Sequence, residues 1–180
     1  MNNVSMLQEQ VTTRLERVGI SDVSHIVQEL TLYGYFNAPA STTHHGSYEG
    51  GLAEHSLCVC DLLVKLTEDN NIAWQRQESP VIVGLFHDLC KMDNYIKINP
   101  VANEFEYNTD TLFKGHGSKS AIIAAQFLKL TEEELACIVY HMGAFTDSEQ
   151  WSSYTGAVKQ YTTVLWTHHA DMLATHVEGV

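Results

Sequence analysis

Histidine and aspartate side chains recur where helices are predicted to lie or to end, and they are the residues best suited to chemistry. Two of them, His87 and Asp88, are adjacent at the end of an apolar segment. Neutral imidazole nitrogens and carboxylate oxygens are standard ligands of divalent transition metals. Side chains from separate helices can converge on one site in a helical bundle. The recurring set is His55, His87, Asp88, His116, His141 and Asp171.

Residues 81–91 form the segment that must position the His-Asp pair. The segment is apolar nearly all the way round, which predicts a helix buried in the middle of the domain. Ser79 can supply an N-cap hydroxyl and Pro80 a preset first-turn φ. An imidazole and a carboxylate buried there without partners would be costly. They therefore need either a metal ion or hydrogen bonds within the core, and the pair alone does not decide between the two.

Periodicity and capping signals predict an all-α fold with one small β-hairpin insertion. A first helix is expected over residues 4–18, and a second, capped by residues 21–22, ends at about residue 33. Further helices are expected over residues 52–66, 121–130, 132–141 and about 157–177. Residues 131–134, Thr-Glu-Glu-Glu, form a capping-box sequence. The alternating stretch 95–107 predicts a short exposed hairpin. A polar loop over residues 37–51 is long for so compact a chain, and loops of this kind often carry sites.

The charge balance is strongly acidic, and it limits the partners that the protein can bind. The 180 residues include 10 lysines and arginines against 22 aspartates and glutamates, a formal net charge of −12. Proteins that bind polynucleotides rely on basic stripes that release counterions from phosphates. No such stripe is visible in this sequence. A long nucleic acid is therefore not the expected partner, and a phosphorylated substrate should be small.

Length, hydropathy and cysteine spacing indicate one cytoplasmic domain. A chain of 180 residues can bury a core without disulfide or metal staples, so one domain over residues 1–180 is predicted, with residues 1–36 as N-terminal packing helices. No apolar run reaches the roughly 20 residues of a membrane span. The first residues lack the basic and apolar regions of a signal peptide, and the four cysteines show no C-x-x-C spacing. Nothing in the sequence sets the oligomeric state.

Five short phrases in the sequence together resemble the HD superfamily of metal-dependent phosphohydrolases. They are GGLAEHSL, GLFHDLCK, GHGSKSA, YHMGAF and HHADML, and they occur in family order over most of the chain. The family pattern is a histidine, then a His-Asp pair, then a distant aspartate. The arrangement is especially similar to the HD domain of bacterial 3′-to-5′ exoribonucleases. Residues 1–43 are too short for the nucleic-acid-binding module that those enzymes carry, which puts RNA in doubt as the substrate.

The resemblance implies a ligand for each member of the recurring set. It implies that His55, His87, Asp88 and Asp171 bind a first metal ion. Members with two further histidines hold a second ion, so His116 and His141 would bind it with Asp88 as the bridge. Mixed imidazole and carboxylate ligation suits one or two ions of Mn, Fe, Co, Ni or Zn. Alternatively, His116 and His141 contact substrate phosphate as imidazolium donors while one ion binds.

Several other side chains are candidates for substrate binding, each with a simpler alternative. Lys91 follows Asp88 by one helical turn and could clamp a phosphate in catalysis, although a lysine at a helix C-terminus also suits the helix dipole. Lys119 and Ser120 lie near a predicted helix N-terminus, where anions bind, although capping would explain the serine. The resemblance suggests that His44 or His45 borders the substrate.

The function predicted from these features is hydrolysis of a phosphomonoester or phosphodiester bond in a small nucleotide-like substrate, with a divalent metal as cofactor. Asp88 and Lys91 are the expected catalytic residues. One alternative is a 3′-to-5′ exonuclease acting on short single-stranded oligonucleotides. Another is a metal-containing nucleotide sensor without turnover, and the simplest is a structural ion.

Overall fold

Helices make up most of the protein in the computed structural model, which describes residues 3–43, 46–99, 102 and 104–180. The predicted all-α bundle with a small hairpin is confirmed. Short 3₁₀ helices span Gly143–Phe145 and Ser148–Gln150, and a π-helical turn spans Ala174–Glu178. The α-helices are α1 (Asn3–Arg17), α2 (Val23–Leu32), α3 (Gly51–Asn70), α4 (Ser79–Phe86), α5 (Lys91–Asn94), α6 (His116–Ala124), α7 (Glu132–Tyr140), α8 (Trp151–Gln160) and α9 (Thr163–Leu173).

Helix α4 lies at the centre of the core, as its apolar sequence predicts. All eight of its residues are buried. It packs along α3 within one hydrophobic cluster that also includes Leu7, Val11 and Leu30 from the first two helices. The helix ends at Phe86, and His87 follows as its C-cap residue. The His-Asp pair is therefore held in a turn at the end of the most deeply buried helix.

The predicted N-cap role of Ser79 is wrong. Ser79 is the first residue of α4, and Glu78 occupies the N-cap position without a side-chain cap. The Ser79 hydroxyl instead donates to Glu134 Oε1 at 2.8 Å. A tertiary acceptor on α7 thus replaces the local cap that the sequence suggests.

Glu134 is buried and joins α7 to the segment that precedes α4. Its carboxylate accepts from Arg76 Nε at 2.8 Å and Arg76 Nη2 at 2.7 Å. It also accepts from the backbone N–H of Thr131 at 2.8 Å, while the Thr131 hydroxyl accepts from the Glu134 N–H. The predicted capping box is confirmed. The same carboxylate therefore caps one helix and anchors the entry to another.

Glu134→Gln is expected to lower the free energy of unfolding by about 2 kcal/mol. The neutral amide removes the negative charge that pairs with the Arg76 guanidinium, and its NH₂ group cannot accept a hydrogen bond from a buried donor. Urea denaturation followed by circular dichroism measures the change. Glu132→Gln is the matched control, since Glu132 is exposed and its carboxylate accepts from the hydroxyl of the half-buried Tyr161 at 3.2 Å. Equal stability of the two variants would show that the buried Glu134 carboxylate stabilises the fold no more than the exposed one of Glu132.

The predicted single helix over 157–177 is wrong in one respect. The chain leaves helical geometry at Tyr161, where φ is −131° and ψ is 97°, so α8 and α9 are separate helices. None of the residues of α8 is buried, whereas Val164, Thr167 and Ala170 of α9 are. The break lets α9 turn its own face against α3 and α7 while α8 stays at the surface.

The predicted hairpin is confirmed, and it lies beside α5. Strand β1 (Tyr95–Asn99) pairs antiparallel with β2 (Glu104–Tyr107), and Tyr95 lies opposite Tyr107. The two rings form an edge contact with centroids 5.2 Å apart.

Among the described residues, the helices are all too short or too polar to cross a membrane.

Candidate metal centre

Asp88 lies at the centre of a cluster of imidazoles and carboxylates. On one side of it, His55 Nε2 and His87 Nε2 lie 3.6 Å and 3.5 Å from Asp88 Oδ2. The Asp171 carboxylate faces the same two rings, with Oδ1 3.2 Å from His55 Nε2 and 4.0 Å from His87 Nε2. These four side chains come from α3, the end of α4 and α9, and their ligand atoms point into one space.

Two further histidines approach the other oxygen of Asp88. His116 Nε2 lies 2.6 Å from Oδ1, and His141 Nε2 lies 3.3 Å from the same atom. His116 begins α6 and His141 follows α7. The structure thus brings together all six residues of the set predicted from the sequence.

The outer nitrogens of three of these rings fix which nitrogen faces the cluster. Each Nδ1 lies near a main-chain oxygen, which can only accept, so Nδ1 carries a proton and Nε2 presents a lone pair when the ring is neutral. The Nε2 atoms of His87 and His141 are buried and make no well-directed hydrogen bond within the described residues. This is the arrangement that metal-binding histidines adopt. The contacts are His55 with Val180 O at 3.0 Å, His87 with Gly84 O at 2.9 Å, and His141 with Ile138 O at 2.7 Å.

The charges of the cluster keep Asp88 ionised. Burial favours the neutral acid, but Lys91, His87 and His116 hold the pKa of Asp88 well below its usual range. Burial also opposes charge on His116, yet the Asp88 carboxylate outweighs it and raises the pKa of His116 to about 10. Burial lowers the pKa of His141, which keeps that ring neutral. An ionised carboxylate among buried imidazoles suits a divalent cation, so the residues present fit a metal ion.

Four residues of the cluster line a pocket of about 580 Å³, here called the main pocket. Its volume falls within the range of about 300–1,000 Å³ that is usual for small-molecule sites. The four residues are Asp88, His116, His141 and Asp171. The walls are formed by Tyr95 and Tyr107 of the hairpin, Phe145, Met172 and neighbouring residues.

The HD domain family matches residues 52–174, a span that contains all six residues of the cluster. The chain belongs to the HD domain family. HD domains bind divalent metals, and among the described residues three groups of buried or half-buried histidine, aspartate and cysteine side chains could hold an ion. No solved structure matches the chain.

Two curated proteins are similar to this HD domain. One is the dihydroneopterin 2′,3′-cyclic phosphate phosphodiesterase of Methanocaldococcus jannaschii, 34% identical over 82 residues, which are 44% of this chain and 30% of that protein. The other is the symmetrical bis(5′-nucleosyl)-tetraphosphatase of Staphylococcus aureus, 32% identical over 92 residues, which are 48% of this chain and 46% of that protein. The chain therefore spans less than half the length of either relative.

Lys91 of the HD domain lies where the sequence predicts, on the rim of the cluster. It begins α5, lines the main pocket and places Nζ 2.6 Å from Asp88 Oδ2. Burial opposes its charge, but the adjacent carboxylate raises the pKa of Lys91. The ammonium is therefore charged and oriented towards the site.

The predicted phosphate contacts of Lys119 and Ser120 are not supported by the structure. Helix α6 begins at His116, so Lys119 ends its first turn and Ser120 begins the second, and both are buried outside the lining of the main pocket. Lys119 Nζ forms an ion pair with Asp93 and donates to Asn94 Oδ1 at 2.7 Å. The Ser120 hydroxyl accepts from the Cys90 N–H at 3.1 Å. Their polar atoms hold α5 against α6.

The loop histidines predicted to border the substrate, His44 and His45, lie outside the described residues. Ser41 from the same loop lines the main pocket. A different histidine also reaches the pocket. His168 lines it, and its Nδ1 donates to the backbone carbonyl of His141 at 2.8 Å, which supports the position of that ring.

Sequence reasoning did not assign the aromatic walls or Cys90 to the site. Cys90 Sγ lies 3.5 Å from His116 Nδ1 and takes the place that backbone carbonyls take at the other histidines. Tyr95 and Tyr107 stand at the open ends of the two predicted strands. The signal that could have found them is their position, because a hairpin that follows the His-Asp turn closely must return beside it.

Proposed function

We propose that this HD domain is a metal-dependent phosphohydrolase that cleaves a phosphate ester in a small nucleotide-like substrate. The observation that carries the proposal is the convergence of four imidazoles, two carboxylates and a buried lysine beside a pocket of about 580 Å³, which Asp88, Lys91 and Asp171 line. The activities for which the two relatives are named support it. Both cleave phosphate bonds, one as a phosphodiesterase and the other as a tetraphosphatase.

The proposed ligands of a first ion are His55, His87, Asp88 and Asp171, whose polar atoms face one space. His116 and His141 would hold a second ion together with Asp88, with the ion displacing the proton that the Asp88 carboxylate holds on His116. Their donor types suit Mn²⁺, Fe²⁺, Co²⁺, Ni²⁺ or Zn²⁺. When bound, the ions supply stabilisation of charge on the phosphate oxygens and activation of water for in-line attack.

The protein's own side chains supply position and charge around the phosphate. Asp88, ionised and fixed by its neighbours, holds the imidazoles and Lys91 in one arrangement. The Lys91 ammonium stands at the wall of the pocket, where it can donate to a phosphate oxygen. The carbonyl contacts of His55, His87 and His141 keep the rings from turning. A preorganised site of this kind needs little reorganisation when the negative charge develops.

The substrate is proposed to be small because the cations near the pocket are few. The acidic chain offers no basic track for a polynucleotide, and the aromatic walls suit a base or another ring. We expect the protein to act on such a substrate in the cytoplasm.

A panel of mono-, di-, tri- and cyclic nucleotides, incubated with protein loaded with Mn²⁺ or Co²⁺, tests the proposal by phosphate release and chromatography. Absence of turnover with tight nucleotide binding would favour a sensor instead.

Lys91→Met is expected to keep the metal content of the wild type and to lower kcat/KM for the best nucleotide about 10- to 100-fold, the effect of losing one hydrogen bond from a charged donor. Metal analysis and initial rates measure the two quantities. Lys97→Met is the matched control, because Lys97 lies on the hairpin and pairs with Glu49 at 3.3 Å. Unchanged kinetics in Lys91→Met would show that the lysine has no part in substrate handling.

A further inference from the structure

We propose that a second cavity, next to the main pocket, binds the nucleoside on the far side of the scissile phosphate. The substrate would then be a phosphodiester that joins two nucleosides. This inference rests on the proposed function and names the substrate class of the same site. The cavity, here called the side cavity, has a volume of about 210 Å³ and is bordered by Tyr107, Phe113 and Lys114.

The side cavity adjoins the candidate metal centre. Asn94, Tyr107 and His116 border both the side cavity and the main pocket. His116 also places Nε2 2.6 Å from Asp88 Oδ1. A group bound in the side cavity therefore lies next to a phosphate held at the candidate metal centre, because His116 borders both cavities.

The volumes of the two cavities indicate how the substrate divides between them. The main pocket, at about 580 Å³, can hold a complete small ligand. The side cavity, at about 210 Å³, is smaller than the roughly 300 Å³ at which small-molecule sites begin. It can hold one ring system with its attachment, but it is too small for a complete nucleotide with several phosphates.

Two exposed aromatic rings border the side cavity. Tyr107 is 67% exposed and Phe113 is 42% exposed, although burial of such large aromatic rings in apolar contacts is favourable. Nucleobases stack on rings of this kind with little dependence on their sequence. The side cavity thus offers a surface for a base next to the main pocket, which Tyr107 also lines together with Tyr95 and Phe145.

Lys114 gives the side cavity a positive charge. Its Nζ donates to two neutral groups, the Thr109 carbonyl at 3.1 Å and the Thr111 hydroxyl at 3.2 Å. Within the described residues no carboxylate forms an ion pair with it, whereas Lys91, Lys97 and Lys119 are each paired with one. In a chain of net charge −12, a cation with neutral partners attracts an anionic substrate to this side of the centre.

The test compares substrates with matched leaving groups. The metal-loaded protein is given a dinucleoside monophosphate, such as thymidylyl-thymidine, and the 3′- and 5′-phosphate methyl esters of thymidine. All three release an alcohol, but the methyl esters lack the second nucleoside. We expect kcat/KM for the dinucleotide to exceed that of the better methyl ester about tenfold or more, mainly through a lower KM.

Variants then test whether the higher kcat/KM of the dinucleotide depends on the side cavity. Phe113→Ala should reduce the ratio of the dinucleotide kcat/KM to the methyl-ester kcat/KM to about one. Leu112→Ala is the matched control, because Leu112 is 85% exposed and does not border the cavity, and its ratio should equal that of the wild type. Lys114→Met should raise the dinucleotide KM and weaken its dependence on ionic strength, while Lys159→Met on the surface of α8 should not.

The outcomes separate this inference from the proposed function. A wild-type ratio near one, or a ratio unchanged in Phe113→Ala, would contradict nucleoside binding in the side cavity. If the methyl esters are still hydrolysed in that case, the proposed phosphohydrolase function stands. Cleavage of a tetranucleotide more than about tenfold faster than the dinucleotide overturns the dinucleoside class in favour of a longer strand. Failure to cleave any nucleotide or ester removes the proposed function itself.

Discussion

Asp88→Ala is expected to abolish metal binding and to reduce phosphohydrolase activity on the order of a thousandfold or more, because it removes a proposed ligand of both ions. Its two oxygens lie within 3.6 Å of the Nε2 atoms of His55, His87, His116 and His141. Asp171, the other carboxylate of the cluster, is itself a proposed ligand of the first ion, so it cannot take the place of Asp88 as well.

Metal analysis after desalting and initial rates on the best nucleotide measure the loss. Asp88→Asn keeps the shape of the side chain, so it separates the loss of the ligand charge from the loss of packing. Asp61→Ala is the matched control, because Asp61 pairs with Arg14 at the surface and such a pair contributes at most about 1 kcal/mol. A wild-type metal content in Asp88→Asn would contradict the assignment of Asp88 as a ligand.

The elements were predictable from the sequence because their signals are local. The apolar run of α4, the Thr-Glu-Glu-Glu capping box and the alternation of the hairpin can each be recognised within a few residues. The separation of α8 from α9 was not predictable, because Tyr161 and Thr162 are not helix breakers. The break follows from the tertiary contact of α9 with α3 and α7, which no local signal encodes.

The members of the site were predictable by residue type, whereas several of their partners were not. Imidazoles and carboxylates are rare in apolar segments, so His55 and His87 could be selected from the sequence. The contacts of Lys119 depend on Asp93, and those of Ser79 depend on Glu134, each on another element of the fold. A polar side chain near a helix end can cap, bind an anion or cross to a neighbour, and only packing selects among these.

Gly84→Ala is expected to lower the free energy of unfolding by about 3 kcal/mol, at the upper end of the cost of overpacking. Gly84 lies in α4 where it crosses α3, and a Cβ built on it would stand 2.4 Å from Cys60 Cα and 2.8 Å from Cys60 N. These are backbone atoms, so no side chain can turn aside and the two helices must separate. His55 is carried by α3 and His87 by the end of α4, so their separation also moves two proposed ligands.

Gly156→Ala is the matched control, because Gly156 lies in α8 with no atom within 4 Å of its Cβ position. Alanine in an exposed helix is favoured over glycine by up to about 1 kcal/mol, so the control should be slightly more stable than the wild type. Denaturant unfolding gives both free energies, and metal titration of the folded fraction shows whether the ligands have moved. If Gly84→Ala were as stable as the wild type but bound metal weakly, the cost of the extra methyl group would lie in the ligand positions. If both properties were unchanged, α3 and α4 would not be held as closely as the Cys60 contact requires.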